Sequence, residues 1–250
     1  MKKVIGLLLM LFLAACSSAP KTDAGSSAAP VTSGATGQEA AQTTAKSTIS
    51  YPNDPGWNEV FSETFDAADP KWDLKPYDGK FVSYEASIAD GVYKETISGK
   101  PAGNFLNAGI HTVKLGEATD FYVGVTGMID SKFKNSSFGI GFMADDDLEA
   151  YVNFGMLKTS YSLYRHNIEA LIKDNVLEAK ETSRIEVGKM NTLELKKDGN
   201  TLEYFINGKA IAKYNLSEIK YPGKNVYLFF LVDEGAKATF TVDNILMQAK

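Results

Sequence analysis

The sequence predicts an all-β domain, an antiparallel sandwich or barrel, that follows a non-globular N-terminal segment. Short runs rich in β-branched and aromatic residues recur along the later part of the chain, among them "SSFGIGFMA", "NVYLFFLV" and "ATFTVDNI". Turn residues such as Asp90-Gly91, Asn207-Gly208 and Glu234-Gly235 punctuate these runs. No stretch keeps apolar residues at helical spacing for more than about two turns. Closely spaced strands without intervening helices favour antiparallel pairing.

The first 15 residues have the order of a secretion signal. Lys2 and Lys3 supply a positive start, an apolar run follows over 4–13, and Ala14 and Ala15 precede Cys16, the only cysteine of the chain. The apolar run is too short to cross a bilayer stably.

The stretch Leu13-Ala14-Ala15-Cys16 resembles the lipobox of bacterial lipoproteins. In that family the cysteine thiol takes a diacylglycerol, the signal is cut just before it, and the new amino terminus is acylated. The resemblance implies an exported protein anchored to the cell envelope by a lipid on Cys16, with the membrane as its partner. Ser17 in the next position favours the outer membrane by analogy with enteric bacteria.

Composition divides the rest of the chain into a tether and one domain. Residues 16–50 are mostly Ser, Ala, Thr, Gly, Lys and Gln, which cannot bury enough apolar surface to order the segment. We expect a flexible tether there and a single folded domain over 51–250. The chain has a formal net charge of −5 and no basic stripe, which argues against nucleic acid as a partner.

Alternation along the strands predicts which side chains form the core. With a period of two, one face of each of three strands is apolar and should point between two sheets. These inward sets are Phe138, Ile140 and Phe142; Val152, Phe154 and Met156; and Val226, Leu228, Phe230 and Val232. Asn207-Gly208 lies between alternating runs and predicts a two-residue hairpin turn. Trp72 is expected to pack in the core.

Several segments of the domain resemble the concanavalin A-like lectin/glucanase superfamily. They are "VFSETFDAADPKWDL", "YSLYRHN", "GKMNTLELKKDGNTLEYFINGKAIAKY" and "ATFTVDNILM", and the likeness extends over 57–250. The nearest branch is the laminin-G-like and keto-disaccharide-hydrolase-like jelly rolls. The resemblance implies an antiparallel two-sheet jelly-roll sandwich. The superfamily contains glycan binders, glycosidases, lyases and adhesion modules, so the fold leaves the function open.

One acidic run tests the enzyme hypothesis. Laminarinase-type members carry Glu-x-Asp-x-Glu on one strand, where the acids act as nucleophile and acid/base. The nearest match here is Asp145, Asp147 and Glu149 in "DDDLE", with Asp in place of the first Glu. The run lies between two strand patterns, where three consecutive Asp residues suit a solvated turn. We therefore expect no catalytic residues and a domain that is not an enzyme.

The same resemblance implies a possible structural calcium ion. Many jelly rolls of the superfamily hold Ca²⁺ between the first and last strands, and Glu63, Asp66 and Asp243 occupy the corresponding positions. Three acids do not complete the six to eight oxygens that Ca²⁺ takes. The alternative, which we prefer, is that Asp243 only pairs near the sheet edge. No other cofactor is expected.

The residues that alternate with the core predict a ligand face. Sugars bind on aromatic platforms beside amide or guanidinium donors. The outward candidates are Tyr122, Tyr151, Asn153, Arg165 and Tyr227. Outward glycines on neighbouring strands, namely Gly124, Gly139, Gly141 and Gly155, would leave a trough for a ligand or for another part of the chain.

These observations favour a lipid-anchored envelope protein with a non-catalytic domain that binds a polysaccharide or an oligosaccharide. Two alternatives remain open. One is an atypical glycoside hydrolase, which needs paired carboxylates on the ligand face. The other is a structural or protein-binding envelope lipoprotein, whose corresponding face would be filled by its own loops.

Overall fold

A computed structural model of the chain describes most of the region after residue 48. The described residues are 49, 56–67, 72, 74–101, 105–114, 118–133, 135–146, 150–167, 176–215 and 224–250. They form fifteen strands in two antiparallel sheets, and this part of the chain contains no helix. The predicted fold class, an all-β two-sheet jelly-roll sandwich, is confirmed.

The large sheet has nine strands. Its order is β13-β12-β11-β6-β15-β4-β3-β2, and β1 also pairs with β15. The strands are β1 (Asn58–Glu63), β2 (Tyr77–Asp78), β3 (Val82–Ala89), β4 (Val92–Gly99), β6 (Phe121–Ser131), β11 (Asn191–Asp198), β12 (Thr201–Ile206), β13 (Lys209–Asn215) and β15 (Lys237–Ala249). The first and last strands of the domain are therefore neighbours.

The small sheet has six strands in the order β10-β9-β8-β7-β14-β5. The strands are β5 (Phe105–Lys114), β7 (Ser137–Ala144), β8 (Ala150–Met156), β9 (Ser160–Asn167), β10 (Val176–Glu181) and β14 (Asn225–Val232). Its central strands β7, β8 and β14 carry the alternating patterns that predicted the core.

The core lies between the two sheets, as the alternation predicts. All ten side chains of the three inward sets belong to one buried cluster, which also contains Trp72. The Trp72 ring centroid is 4.9 Å from that of Phe65, and its indole nitrogen donates to Glu63 Oε2 at 3.0 Å. Because side chains alternate between the two faces of a strand, the apolar residues of each strand share one face. Packing the apolar faces of the two sheets against each other removes both faces from water.

The predicted hairpin turn between β12 and β13 is confirmed. Asn207 and Gly208 both have positive φ, 51° and 70°, as a two-residue turn of this hand requires. The Asn207 amide also links the turn to its surroundings, since its oxygen accepts from Thr192 N and its nitrogen donates to Asn191 Oδ1. Asn191 opens β11 and accepts from Glu186 N, so two asparagines fix this end of the large sheet.

One residue before the predicted boundary at Tyr51 packs against the sheet. Ile49, which composition placed in the tether, is buried against Tyr122 and Leu246. The signal, Cys16 and the tether up to residue 48 lie outside the described residues. Where the chain is described, no helix is long and apolar enough to span a membrane.

Candidate functional site

Three of the five predicted ligand residues come together on the outer face of the small sheet, the face turned away from the core. Tyr151 and Asn153 lie on β8, and Tyr227 lies on β14. The Tyr227 hydroxyl donates to Asn153 Oδ1 at 2.9 Å. The rings of Tyr151 and Tyr227 meet edge to face with centroids 6.0 Å apart. Two phenols and an amide thus form one connected cluster.

The outward glycines do not form an open trough, so that expectation is wrong. A Cβ at Gly141 would come within 2.0 Å of the Tyr227 ring, and one at Gly155 within 3.1 Å of the Phe229 ring. The register places Gly141 opposite Tyr227 and Gly139 opposite Phe229. Gly141 and Gly155 therefore make room for two aromatic rings of β14.

Burial of this cluster changes its chemistry. Tyr151, Tyr227 and Phe229 are almost fully buried, and Asn153 is also buried, whereas the sequence predicted an exposed platform. Burial raises the pKa of the Tyr227 phenol well above its ordinary value of 10.0, with nearby Tyr151 and Asp145 adding to the effect and the Asn153 hydrogen bond opposing it. Tyr227 is therefore a neutral hydrogen-bond donor at physiological pH.

The acidic run borders this cluster. β7 ends at Ala144 and β8 begins at Ala150, so the run lies between strands, as predicted. Asp145 is half-buried and close enough to Tyr227 to affect its pKa, and Asp146 is exposed, with Oδ1 accepting from Asn225 Nδ2 at 3.1 Å. Asp147 and Glu149 lie outside the described residues.

The sequence did not predict this proximity of acids and phenol, because it depends on the pairing of two distant strands. β14 pairs with β7 and places Asn225 opposite Ala144, the residue before the acidic run. No local pattern in either segment indicates that partner.

The other two predicted ligand residues do not join the cluster. Tyr122 belongs to β6 of the large sheet, where its hydroxyl donates to Glu194 Oε1 at 2.8 Å. Arg165 pairs with Val152, a core residue, so its register position belongs to the opposite face from Tyr151. Period-two alternation assigns faces within one strand, but it does not say which strands share a sheet.

The acids predicted as calcium ligands accept hydrogen bonds from residues near them in the chain. Glu63 Oε1 accepts from the backbone nitrogens of Thr64 and Phe65, and Asp66 Oδ2 accepts from Thr64 Oγ1. Asp243 accepts from Asn244 Nδ2 at a position where the β15 register shifts. No group of three His, Cys, Asp or Glu in the described part of the chain could hold a metal ion.

Neither a family model nor a curated relative matches the chain. Solved structures match it by shape. A laminarinase catalytic domain from Thermotoga petrophila RKU-1 has a TM-score of 0.51 at 10% identity, with 78% of this chain and 98% of that chain covered. An endo-β-1,3-glucanase from Pyrococcus furiosus has a TM-score of 0.50 at 8% identity, with 77% and 94% covered.

A third neighbour comes from work on endo-acting O-glycanases that human gut bacteria express to initiate mucin breakdown. Its TM-score is 0.53 at 15% identity, with 76% of this chain and 98% of that chain covered. At such identities these matches establish the fold, which is the concanavalin A-like jelly roll. They contradict the expectation of a domain that is not an enzyme, because these neighbours are described in terms of enzymes that cleave glycans.

Proposed function

We propose that this domain is a glycoside hydrolase that acts on a polysaccharide or oligosaccharide at the β7–β8 turn of the small sheet. The observation that carries the proposal is the juxtaposition of acidic and hydrogen-bonding groups there. Asp145 and Asp146 directly follow β7, and Asp146 accepts a hydrogen bond from Asn225 of β14. The charge of Asp145 helps to raise the pKa of Tyr227, whose hydroxyl donates to Asn153. The fold it shares with endo-glucanases supports this assignment.

The arrangement of acids is atypical for such an enzyme. Glycoside hydrolysis needs one carboxyl group that protonates the leaving oxygen and another that attacks the sugar or activates water. β8 presents Tyr151, Asn153 and Gly155 on its outer face, so the strand interior offers no row of carboxylates. In this proposal the β7–β8 turn supplies the acids.

An amide scan of the acidic run tests the assignment. We expect Asp145→Asn to lower kcat/KM by at least about 100-fold, the typical contribution of one acid or base. The second carboxylate is identified by a similar loss of kcat/KM in one of three further variants, Asp146→Asn, Asp147→Asn or Glu149→Gln. Release of reducing ends is measured on laminarin, mixed-linkage β-glucan and mucin O-glycans.

The matched control is Glu203→Gln. Glu203 lies on β12 of the other sheet and forms a surface ion pair with Lys213, so its loss should leave activity within about twofold of wild type. A chain that binds one of these glycans but releases no reducing ends would contradict the proposal. Wild-type activity in all four amide variants would contradict the assignment to this turn.

We also propose that the chain is exported and anchored to the cell envelope, at the outer membrane, by a lipid on Cys16. The support is the order of Lys2 and Lys3, an apolar run and Leu13-Ala14-Ala15-Cys16. A tether over 17–48 would then join the lipid to the folded unit. Such an anchor would hold the domain where envelope or extracellular glycans are within reach.

Cys16→Ser tests the anchor. We expect the variant to remain an unprocessed precursor or to become soluble, because serine provides no thiol for the lipid. Radiolabelled palmitate incorporation and detergent partitioning measure the change, and Ser17→Ala serves as the control. Recovery of processed, palmitate-labelled Cys16→Ser protein in the membrane fraction would refute the anchor.

A further inference from the structure

Two exposed aromatic residues lie at the edge of the large sheet, away from the candidate site. The large hydrophobic side chains exposed among the described residues are Val60, Tyr77, Phe81, Phe133 and Val187. Two of them, Tyr77 at 49% and Phe81 at 36% exposed, lie four residues apart around the β2–β3 turn. Tyr84 is half-buried, packs against the core and pairs with Tyr77 across the two strands. We call Tyr77, Phe81 and Tyr84 the edge platform.

The edge platform is held in place by several contacts. The rings of Tyr77 and Tyr84 stack with centroids 5.3 Å apart and an interplanar angle of 23°. A Cβ at Gly79 would come within 2.3 Å of the Tyr77 hydroxyl oxygen, so glycine gives the ring its room. Lys100 fixes the turn, because its ammonium donates to Gly79 O at 2.8 Å and its backbone nitrogen donates to Phe81 O at 2.7 Å.

The platform is basic on an acidic chain. The Lys80 ammonium lies 4.9 Å from the Phe81 ring centroid, and Lys100 pairs with Asp78. Lys75 lies two residues before Tyr77. Over residues 74–85 and at residue 100, three lysines accompany two acids, Asp78 and Glu85, an excess of one positive charge on a chain whose formal net charge is −5. A positive patch on a negative molecule selects anionic ligands by charge.

We propose that the edge platform binds an anionic saccharide, of the class that carries uronic acid carboxylates. Flat aromatic rings contact the C–H faces of sugars, and lysine ammoniums attract their carboxylates. The platform belongs to the large sheet, so it is a second glycan contact that does not depend on the acids of the β7–β8 turn. It would hold an acidic polysaccharide beside the domain whether or not the domain cleaves it.

The geometry favours a saccharide over a lipid surface. A protein that inserts into a bilayer presents apolar side chains that enter the interface together. Here the two tyrosines stack on each other and keep polar hydroxyl groups, and among the described residues only Phe81 adds an exposed aromatic ring at this edge. A fixed pair of rings with adjacent ammoniums matches a sugar ring and its carboxylate.

Affinity electrophoresis with polygalacturonate tests the proposal. The full chain is used with Cys16→Ser, so that no acyl chain contributes to binding. We expect retardation by polygalacturonate but not by fully methyl-esterified pectin, in which the carboxylates are neutral. Tyr77→Ala and Phe81→Ala should each weaken the apparent affinity by roughly tenfold, the effect of losing one stacking ring. Lys80→Gln should also weaken it.

A control variant and the choice of readout separate this site from other causes. Phe133→Ala removes an equally exposed ring from the turn between β6 and β7 and should leave retardation unchanged. The readout is retardation and not release of reducing ends, so failure of the hydrolase assignment would not affect the result. The proposal is overturned by no retardation of the parent chain, by equal retardation of Tyr77→Ala, or by binding only to phosphatidylglycerol vesicles.

Discussion

Gly139→Ala is expected to prevent folding or to lower the free energy of unfolding by about 3 kcal/mol or more, at the upper end of what overpacking costs. A Cβ at this position would come within 1.9 Å of Phe154 O and 2.8 Å of Gly155 Cα. Both atoms belong to the backbone of β8, so no side-chain rotation relieves the clash. β7 and β8 would have to separate at the middle of the small sheet.

Gly155→Ala is the matched control, because Gly155 is the direct partner of Gly139 across β7 and β8. Its Cβ would come within 3.1 Å of the Phe229 ring and of Ser162 Oγ, which are side-chain atoms able to shift. We expect a loss of about 1 kcal/mol. Urea denaturation followed by tryptophan fluorescence measures both variants. Equal stabilities of the two would show that the close backbone approach at Gly139 has no energetic consequence.

Phe230→Ala is expected to cost about 3–5 kcal/mol, which is a large part of the 5–15 kcal/mol that stabilises a typical domain. Phe230 is fully buried and lies on β14 of the small sheet. Its ring centroid is 4.8 Å from that of Phe240 and 6.4 Å from that of Tyr93, both on the large sheet. Truncation therefore leaves a cavity where the two sheets meet.

The controls for this cavity are Phe230→Leu and Phe133→Ala. The leucine retains most of the buried volume and should cost less than half as much as the alanine. Phe133 is 42% exposed, so its truncation should change the free energy of unfolding by no more than about 0.5 kcal/mol. A Phe230→Ala domain as stable as the Phe133→Ala domain would mean that this ring does not join the sheets.

Local sequence determined the fold class and the inner faces of the strands. The alternation in Phe138, Ile140 and Phe142 identified one buried face, and Asn207-Gly208 identified a hairpin, because both signals act between residues close in the chain. Each of these elements appears in the structure where the pattern predicted it. The acidic run at 145–149 was likewise placed between strands by its composition alone.

The function was less predictable than the fold. An acidic run in a turn indicated a domain without catalysis, and the solved structures with the same fold contradict that inference. Along the sequence the acidic run lies far from Tyr227, whereas the pairing of β14 with β7 brings Asp145 near Tyr227 in the structure. A candidate site made of residues about 80 positions apart in the chain cannot be read from either segment.

By itself the sequence determined the two-sheet sandwich, its core residues and its hairpin turn, since strand periodicity and turn chemistry are local properties. Tertiary structure decided which outward residues meet. It separated Tyr122 from Tyr227, placed Arg165 in register with a core residue, and filled the predicted glycine trough with the rings of Tyr227 and Phe229. The physical reason is that alternation fixes the face of each strand, whereas the neighbours across a sheet depend on long-range pairing.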